Sequence, residues 1–101
     1  MTDKADTGKL RWGLMPWTEL KEVVRVFMFG ANKYSDFGWM TVNKARDRYW
    51  DACMRHLLAA RTPGEKDPET GISHLAHLIC SALIVMWHDK QRSTDDKKTQ
   101  D

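Results

Sequence analysis

The stretch from Leu75 to Trp87 constrains the fold most, because it is apolar almost without interruption. His77 and Ser81 are the two polar residues within it. A helix that is apolar on every side must be buried on every side, and two other helices of the same chain cannot easily wrap it. We therefore predict an all-α fold of three main helices, completed as a helical bundle by homo-oligomerisation into a dimer or a tetramer.

Three helices are predicted from the spacing of the apolar residues and from the residues that begin and end helices. The first runs from about Pro16 to Phe29, with Gly30 as its end unless residues 31–34 extend it. The second runs from Asn43 or Lys44 to Arg61, and the third from Ile72 or Ser73 to near Asp89. The predicted buried positions of the first two helices are Leu20, Val23, Val24, Phe27, Tyr49, Trp50, Cys53, Met54, Leu57 and Leu58.

The rest of the chain is divided by composition. Residues 1–8 are polar and predicted to be a flexible N-terminus, and residues 90–101 are predicted to be a disordered polar tail. Lys9–Trp17 (KLRWGLMPW) is predicted to be an extended arm that packs its apolar residues on the body. A single helical domain at residues 9–89 follows from the length of 101 residues.

Composition excludes several classes of function. The net charge of +2 comes from cations that are dispersed among acids, so nucleic acid is not an expected partner. The longest apolar run is about half of what a membrane span needs. Cys53 and Cys80 fall within predicted apolar helices and are interpreted as reduced core thiols, which favours the cytoplasm. P-loop, GxSxG, CxxC and GxGxxG motifs are absent, which argues against redox, NAD and serine-hydrolase chemistry.

The loop before the third helix is a candidate metal site. Glu65, Asp67 and Glu69 surround Pro68, and hard divalent cations bind where several carboxylate oxygens converge. The other interpretation is a solvated polar turn, with Asp67 capping a short turn at Pro68.

His74 and His77 lie one helical turn apart at the start of the third helix, so they share a face. Imidazoles there could bind Mn, Fe or Zn, or could move protons at neutral pH. The spacing is not the zinc signature HExxH. The other interpretation is one satisfied core histidine and one that bonds a carboxylate.

Groups that could recognise a phosphate and a base are also present. The N–H groups at Gly71–Ser73, ahead of the third helix, could bind a phosphate. Five cations could complete a polyphosphate site, although each by itself is more often a solvated surface charge: Lys9, Arg11, Lys33, Arg48 and Arg55. Glu22 could face the same site or pair with Arg25. The candidates for stacking on a base are Trp12, Tyr34 and Trp39, whereas Trp50 and Trp87 are predicted to be core residues.

These motifs together resemble the N-terminal domain family of phage dATP/dGTP diphosphohydrolases, distant relatives of the MazG-type all-α nucleotide pyrophosphohydrolases. The resemblance covers about Lys9–Trp87 and depends on the order and spacing of five pieces: KLRWGLMPW, LKEVVRVFMFGANKY, Trp39, RYWDACMRHLLA and GEKDPETGISHLAHLICSAL. It implies a helical homo-oligomer that uses Mg²⁺ or Mn²⁺. The implied reaction cleaves a deoxypurine nucleoside triphosphate to the monophosphate and pyrophosphate.

The chain departs from the MazG-type metal ligands, which are an ExxE pair on one helix and an ExxD pair on another. Glu19 and Glu22 form an ExxE pair, but His74 and His77 stand where ExxD is expected. The metal ligands are therefore either moved to the acidic loop or changed in kind.

The implied mechanism is in-line attack on the triphosphate by a metal-bound water that a carboxylate or His74 deprotonates. The predicted catalytic residues are Glu69, His74 and Asp67, and the predicted metal ligands are Glu22, Glu65, Asp67, Glu69 and His77. The predicted substrate-binding residues are Lys33, Tyr34, Trp39, Arg48, Arg55, His56 and Arg11. The expected location is the cytoplasm, that of the host if a phage encodes the protein. The alternative function is a catalytically inactive helical phage protein that binds a nucleotide or a host protein.

Overall fold

Three α-helices form the body of the protein in the computed structural model, which describes residues 7–100 and, for residues 93–100, the backbone alone. The helices are α1 at Trp17–Lys33, α2 at Ala45–Ala59 and α3 at His74–Gln100, with 3₁₀ turns at Trp12–Leu14 and Gly38–Met40. The described residues contain no β-strand. The predicted all-α class is therefore confirmed.

The ends of the helices follow the local chemistry of the chain. α1 continues through Gly30 to Lys33, which is the longer of the two predicted alternatives. Ser73 caps α3 as predicted, because its Oγ accepts a hydrogen bond from the Leu75 N–H at 3.1 Å. The α3 backbone is helical to Gln100, so the predicted end near Asp89 is wrong. No Gly or Pro follows Asp89, and nothing in that sequence would break a helix.

The predicted terminal segments are only partly described. Residues 1–6 of the predicted flexible N-terminus lie outside the described residues, as does Asp101 of the predicted tail. The assignment of residues 9–89 to one domain stays a prediction.

α3 packs against both other helices and forms the centre of the fold. α2 runs antiparallel to it, because an Arg46–Asp89 ion pair lies near one end of the pair and a contact between His56 and His74 at the other. One core cluster joins α1 to α3 and consists of Val23, Val26, Ala76, Cys80 and Ile84, with Phe27, Trp39, Tyr49 and Ile72 packed against it. Ala45 and Cys53 of α2 are also buried. Both α1 and α2 therefore pack against α3, and the loop before α3 contacts the same core through Ile72.

The buried face of α1 differs from the prediction at one position. Val24 is 55% exposed, whereas Val26 is buried. Val23, Val26 and Phe27 share the face that meets α3, and Val24 points away from it. The prediction that Val24 belongs to the core is therefore wrong.

An apolar face of α2 and α3 remains exposed in the single chain. Its members lie about one turn apart along each helix: Trp50, Met54, Leu57 and Leu58 on α2, and Leu75, Ile79, Leu83 and Met86 on α3. The sequence places them in a buried interior, but this chain by itself does not bury them. Homo-oligomerisation stays a prediction.

The segment before α1 is exposed in the single chain. It contains a 3₁₀ turn at Trp12–Leu14, and Leu10, Trp12 and Leu14 are all at least 65% exposed. The single chain therefore does not bury these three residues, and the predicted packing of the arm on the body stays a prediction.

Both cysteines are free and buried, as predicted. Burial raises the pKa of the Cys80 thiol to about 12, with a contribution from Cys53, and burial also raises the pKa of Cys53. None of the helices among the described residues combines the length and the hydropathy of a membrane-spanning segment.

We expect both thiols to resist alkylation in the folded protein, because the reactive thiolate is scarce and the sulfur atoms are covered. Mass spectrometry after N-ethylmaleimide treatment at pH 8 should show an unmodified chain, and addition of a denaturant should give two adducts. Rapid modification of either cysteine without denaturant would contradict this packing.

Candidate functional site

The loop before α3 is held in a tight turn by the carboxylate of Asp67. Its Oδ2 accepts hydrogen bonds from the backbone N–H groups of Glu69 at 3.1 Å and Thr70 at 3.0 Å, and from the Thr70 hydroxyl at 3.2 Å. The Gly71 N–H donates to the Asp67 carbonyl at 2.7 Å, and Gly71 has a φ of 72°, which favours glycine. The predicted capping of the Pro68 turn by Asp67 is therefore confirmed, and the turn carries Asp67 to the start of α3.

Three imidazoles meet beside that carboxylate. His56, near the end of α2, has its Nδ1 2.9 Å from the Nδ1 of His74, the first residue of α3. The His56 ring stacks on His77, with ring centroids 4.6 Å apart. The Nε2 of His77 lies 3.8 Å from Asp67 Oδ2. We call His56, Asp67, His74 and His77 the histidine cluster.

Thr70 fixes the orientation of His77. Its Oγ1 lies 2.7 Å from His77 Nε2 and also accepts the Ile72 N–H at 3.2 Å. A hydroxyl has one proton to donate, and one arrangement satisfies every contact. In that arrangement Thr70 donates to Asp67, and His77 donates its Nε2–H to Thr70.

Burial and local charge set the protonation of the cluster. Burial lowers the pKa of His56, and the neighbouring His77 and His74 lower it further. Burial also lowers the pKa of His77, although the charge of Asp67 opposes the shift. Burial would raise the pKa of Asp67, but the hydrogen bonds from Thr70 and the charge of His77 hold it below its usual value. Near neutral pH, neutral His56 and His77 rings therefore lie beside an ionised carboxylate.

A cavity of about 370 Å³ adjoins the cluster at His77. Its walls include the cations Lys33 and Arg55, the acid Glu69 and the rings of Tyr34, Trp39 and Tyr49. A second cavity of about 400 Å³ shares those three rings and Arg55 and adds Arg48. Both cavities thus place flat aromatic rings beside positively charged side chains, and the first cavity also borders His77 of the histidine cluster.

The wall of the first cavity contains a fixed ring and a movable ion pair. Trp39 packs edge-on against Phe27 and Trp87, and its carbonyl accepts a hydrogen bond from His88 Nε2 at 2.9 Å. Lys33 Nζ donates to Glu69 at 2.9 Å, and this bond, with a contribution from Tyr34, raises the pKa of Lys33. Because both members of the pair are largely exposed, an entering anion can displace Glu69 at little cost.

The structure brings most of the predicted site residues together. Asp67, His74, His77 and His56 meet in the cluster, and the residues that line one or both cavities are Lys33, Tyr34, Trp39, Arg48, Arg55 and Glu69. Three predicted members lie elsewhere. Glu22 pairs with Arg25 at 3.2 Å, the alternative that its spacing offers. Glu65 lines a smaller cleft of about 140 Å³, which Ser73 and His74 also line. Arg11 is exposed beside the Trp12 turn.

The candidate ligand group differs from the predicted one. Among the described residues, His56, Asp67 and His74 each offer a ligand atom, and these atoms lie within 4.8 Å of one another. Sequence reasoning assigned His56 to the substrate and missed Thr70 and Tyr49. The antiparallel pairing of α2 and α3 was the available signal for His56, since it places the end of one helix beside the start of the next.

The sequence of the chain matches known proteins. Residues 1–98 match a family described as "dATP/dGTP diphosphohydrolase, N-terminal". A dATP/dGTP diphosphohydrolase of Salmonella phage PMBT28 is 32% identical over 95 residues, which cover 94% of this chain and 32% of the relative. The chain thus spans about a third of that relative's length. No solved structure matches. Because the family match extends over nearly the whole chain, this protein belongs to the dATP/dGTP diphosphohydrolase N-terminal family.

Proposed function

We propose that the protein is a metal-dependent nucleoside triphosphate pyrophosphohydrolase that cleaves dATP- or dGTP-type nucleotides to a monophosphate and pyrophosphate. The observation that carries the proposal is the placement of the histidine cluster against a cavity lined by Lys33, Arg55 and aromatic rings. Family membership supports nucleotide hydrolysis as the class of reaction. The reaction belongs in the cytoplasm, in line with the two free thiols.

The cavity walls suggest how such a substrate would lie. The faces and edges of Trp39, Tyr34 and Tyr49 offer a purine base an apolar surface. Arg55 and Lys33 would bind the phosphates, with Lys33 leaving Glu69 for the substrate. Arg48, in the second cavity, extends the positive charge along the same wall. The base would then lie away from the cluster, with the phosphates towards it.

The proposed cofactor is Mg²⁺ or Mn²⁺. The residues present fit a divalent ion, because two imidazole nitrogens and a carboxylate oxygen converge at the cluster. A bound ion supplies charge neutralisation and an acidified water. Of the five ligands predicted from sequence, Asp67 lies in this group, whereas Glu22, Glu65, Glu69 and His77 do not. Glu69 and His77 line the adjoining cavity, and Glu22 and Glu65 are not part of the proposed site.

Side chains of the protein would accept the proton of the attacking water and neutralise the charge on the leaving group. Glu69 would accept the proton of the water that attacks the α-phosphorus, because a His74 ring that binds the ion through Nδ1 carries a proton on its other nitrogen and cannot accept a second one. The bond from that phosphorus to the β-phosphate oxygen then breaks, and pyrophosphate leaves. Arg55 and Lys33 would neutralise the charge that develops on the leaving group.

Incubation of the purified protein with dGTP or dATP and Mn²⁺ tests the proposal. Chromatography should show equal amounts of the monophosphate and pyrophosphate, with none of the inorganic phosphate that stepwise removal would release. No turnover of either nucleotide, with Mg²⁺ or with Mn²⁺, would contradict the proposal.

A second candidate is a helical protein that binds a nucleotide or another protein without hydrolysis. The observation that favours it is that the chain spans about a third of its phage relative, so activity can depend on the remaining length. Thermal unfolding with dGTP, with and without metal, separates the two. Metal-dependent stabilisation together with turnover supports the enzyme, stabilisation without turnover supports a nucleotide-binding protein, and no shift supports a protein partner.

The proposed active form is a dimer or a tetramer of this chain. The rows of exposed apolar residues on α2 and α3 lie on adjacent antiparallel helices, and soluble monomers rarely expose a large contiguous apolar surface. A second copy could pack its own α2–α3 pair on this face and make a four-helix layer. Homodimer interfaces are typically rich in such residues.

We expect Ile79→Glu to convert the oligomer to a monomer, because Ile79 is 43% exposed in the middle of the apolar face. Val24→Glu is the matched control, since Val24 is an exposed aliphatic residue on α1. Sedimentation velocity should show the native protein and Val24→Glu as oligomers and Ile79→Glu as a monomer. A monomeric native protein at micromolar concentration would overturn the proposed assembly.

A further inference from the structure

We propose that His56, Asp67 and His74 form a binding site for a divalent transition ion. The site binds Zn²⁺, Co²⁺ and Fe²⁺ most tightly, Mn²⁺ less tightly and Mg²⁺ most weakly, so that Mn²⁺ is the better suited of the two cofactors proposed above. The role of the site in hydrolysis rests on the proposed function, but metal binding itself does not. The site replaces the carboxylate-only chemistry expected of an ExxE and ExxD pair with two nitrogen ligands and one oxygen ligand.

The distance between the two imidazole nitrogens carries the inference. His56 Nδ1 and His74 Nδ1 lie 2.9 Å apart, and their ring planes are tilted by 40°. Two nitrogens that bind one ion at about 2.1 Å each lie on the order of 3 Å apart. Without an ion this contact is a hydrogen bond, so an ion would replace the shared Nδ1 proton and the two nitrogens would move slightly apart. Asp67 supplies the third ligand atom, within 4.8 Å of both.

The ligands are held in place before any ion binds. His74 is 6% exposed, and it begins α3 directly after the capping residue Ser73. His56 is stacked against His77, which is in turn bonded to Thr70. The turn hydrogen bonds keep Asp67 beside the two rings. Such supporting contacts orient ligands and strengthen metal binding in known sites.

The donor set determines which ions are preferred. Mg²⁺ is a hard ion that binds oxygen ligands and keeps much of its water. Imidazole nitrogen suits the transition ions, whose affinity for nitrogen sites rises from Mn²⁺ towards Cu²⁺. With two nitrogens among three ligands, the site should therefore discriminate against Mg²⁺, whichever transition ion it holds in the cell.

Isothermal titration of the metal-free protein with MnCl₂, ZnCl₂ and MgCl₂, without nucleotide, tests the site. We expect His56→Gln, His74→Gln and Asp67→Asn each to weaken Mn²⁺ binding by about 100-fold or more, because even loss of a supporting residue costs about 10–100-fold. His88→Gln is the matched control. It removes a histidine of α3 outside the cluster, keeps a donor for the Trp39 carbonyl, and should leave the affinity unchanged.

A measurement on the unaltered protein guards against variants that fail to fold. Proton NMR with Co²⁺ should show two strongly shifted ring N–H signals, from His56 and His74 bound through Nδ1. The absence of shifted imidazole signals overturns the site. So does Mn²⁺ binding that is unchanged in both His→Gln variants, or Mg²⁺ binding as tight as that of Mn²⁺.

The failure of this inference can be distinguished from failure of the proposed function. Tight Mn²⁺ binding that the variants abolish, without hydrolysis of dGTP, supports the site and contradicts the enzyme. Hydrolysis supported equally by Mg²⁺ and unaffected by His56→Gln supports the enzyme and overturns the site.

Discussion

Arg55→Gln should lower kcat/KM for dGTP by roughly 100-fold, comparable to the loss of one preorganised group that stabilises charge in a transition state. Arg55 lines both cavities and is exposed on α2, so its guanidinium can reach an entering polyphosphate. Glutamine is a good helix former and places an uncharged polar side chain on the exposed side of the helix, so the stability of α2 should change little. Steady-state kinetics with Mn²⁺, together with thermal unfolding, measure both effects.

Two further variants show whether activity depends on the position of the arginine and on the geometry of its guanidinium group. Arg61→Gln removes an equally exposed arginine just beyond the end of α2, and should leave kcat/KM near the native value. Arg55→Lys should recover part of the activity, because it restores the charge but not the planar fork that binds two phosphate oxygens. Equal losses in Arg55→Gln and Arg61→Gln would remove Arg55 from the proposed site.

Ile84→Ala should destabilise the protein by about 3 kcal/mol, within the range for large-to-small substitutions in a core. Ile84 is 3% exposed on α3, and it belongs to the cluster that joins α3 to α1. Small domains have little stability to lose, so a large fraction of the molecules should unfold at a modest denaturant concentration. Urea denaturation followed by circular dichroism measures the change.

A pair of adjacent valines on α1 provides the matched control. Val23 is 3% exposed and Val24 is 55% exposed, so the same chemical change is made in the core and at the surface. Val23→Ala should lower the free energy of unfolding by about 2 kcal/mol, because it removes two buried methyl groups and leaves a cavity. Val24→Ala should cost less than about 0.5 kcal/mol. Similar losses for the two valines would contradict the observed packing of α1 on α3.

The existence and order of the helices could be predicted, because apolar spacing and capping residues are local properties of the chain. Ser73 caps α3, and Glu22 pairs with Arg25, one helical turn away, for this reason. The choice between Val24 and Val26 as a core residue could not be predicted, since it depends on the direction from which α3 approaches α1. The helix α3 continues beyond the predicted end near Asp89, because the polar residues that follow contain no helix breaker.

The candidate site was predictable in its residue types but not in its connections. His74, His77 and Asp67 are close in sequence, and the turn at Pro68 brings them together. His56 joins them through the packing of α2 on α3, which no local pattern encodes. The contribution of Thr70 depends on one hydroxyl that contacts both Asp67 and His77. Sequence composition does not indicate such a contact.

Anomalous diffraction at the manganese edge, from crystals grown with Mn²⁺ and a nonhydrolysable dGTP analogue, shows where the metal and the nucleotide bind. We predict a manganese peak bonded to His56 Nδ1, His74 Nδ1 and Asp67. We also predict the triphosphate beside Arg55 and the base against Trp39. Manganese bound away from these histidines, or a nucleotide outside both cavities, would contradict the proposed site.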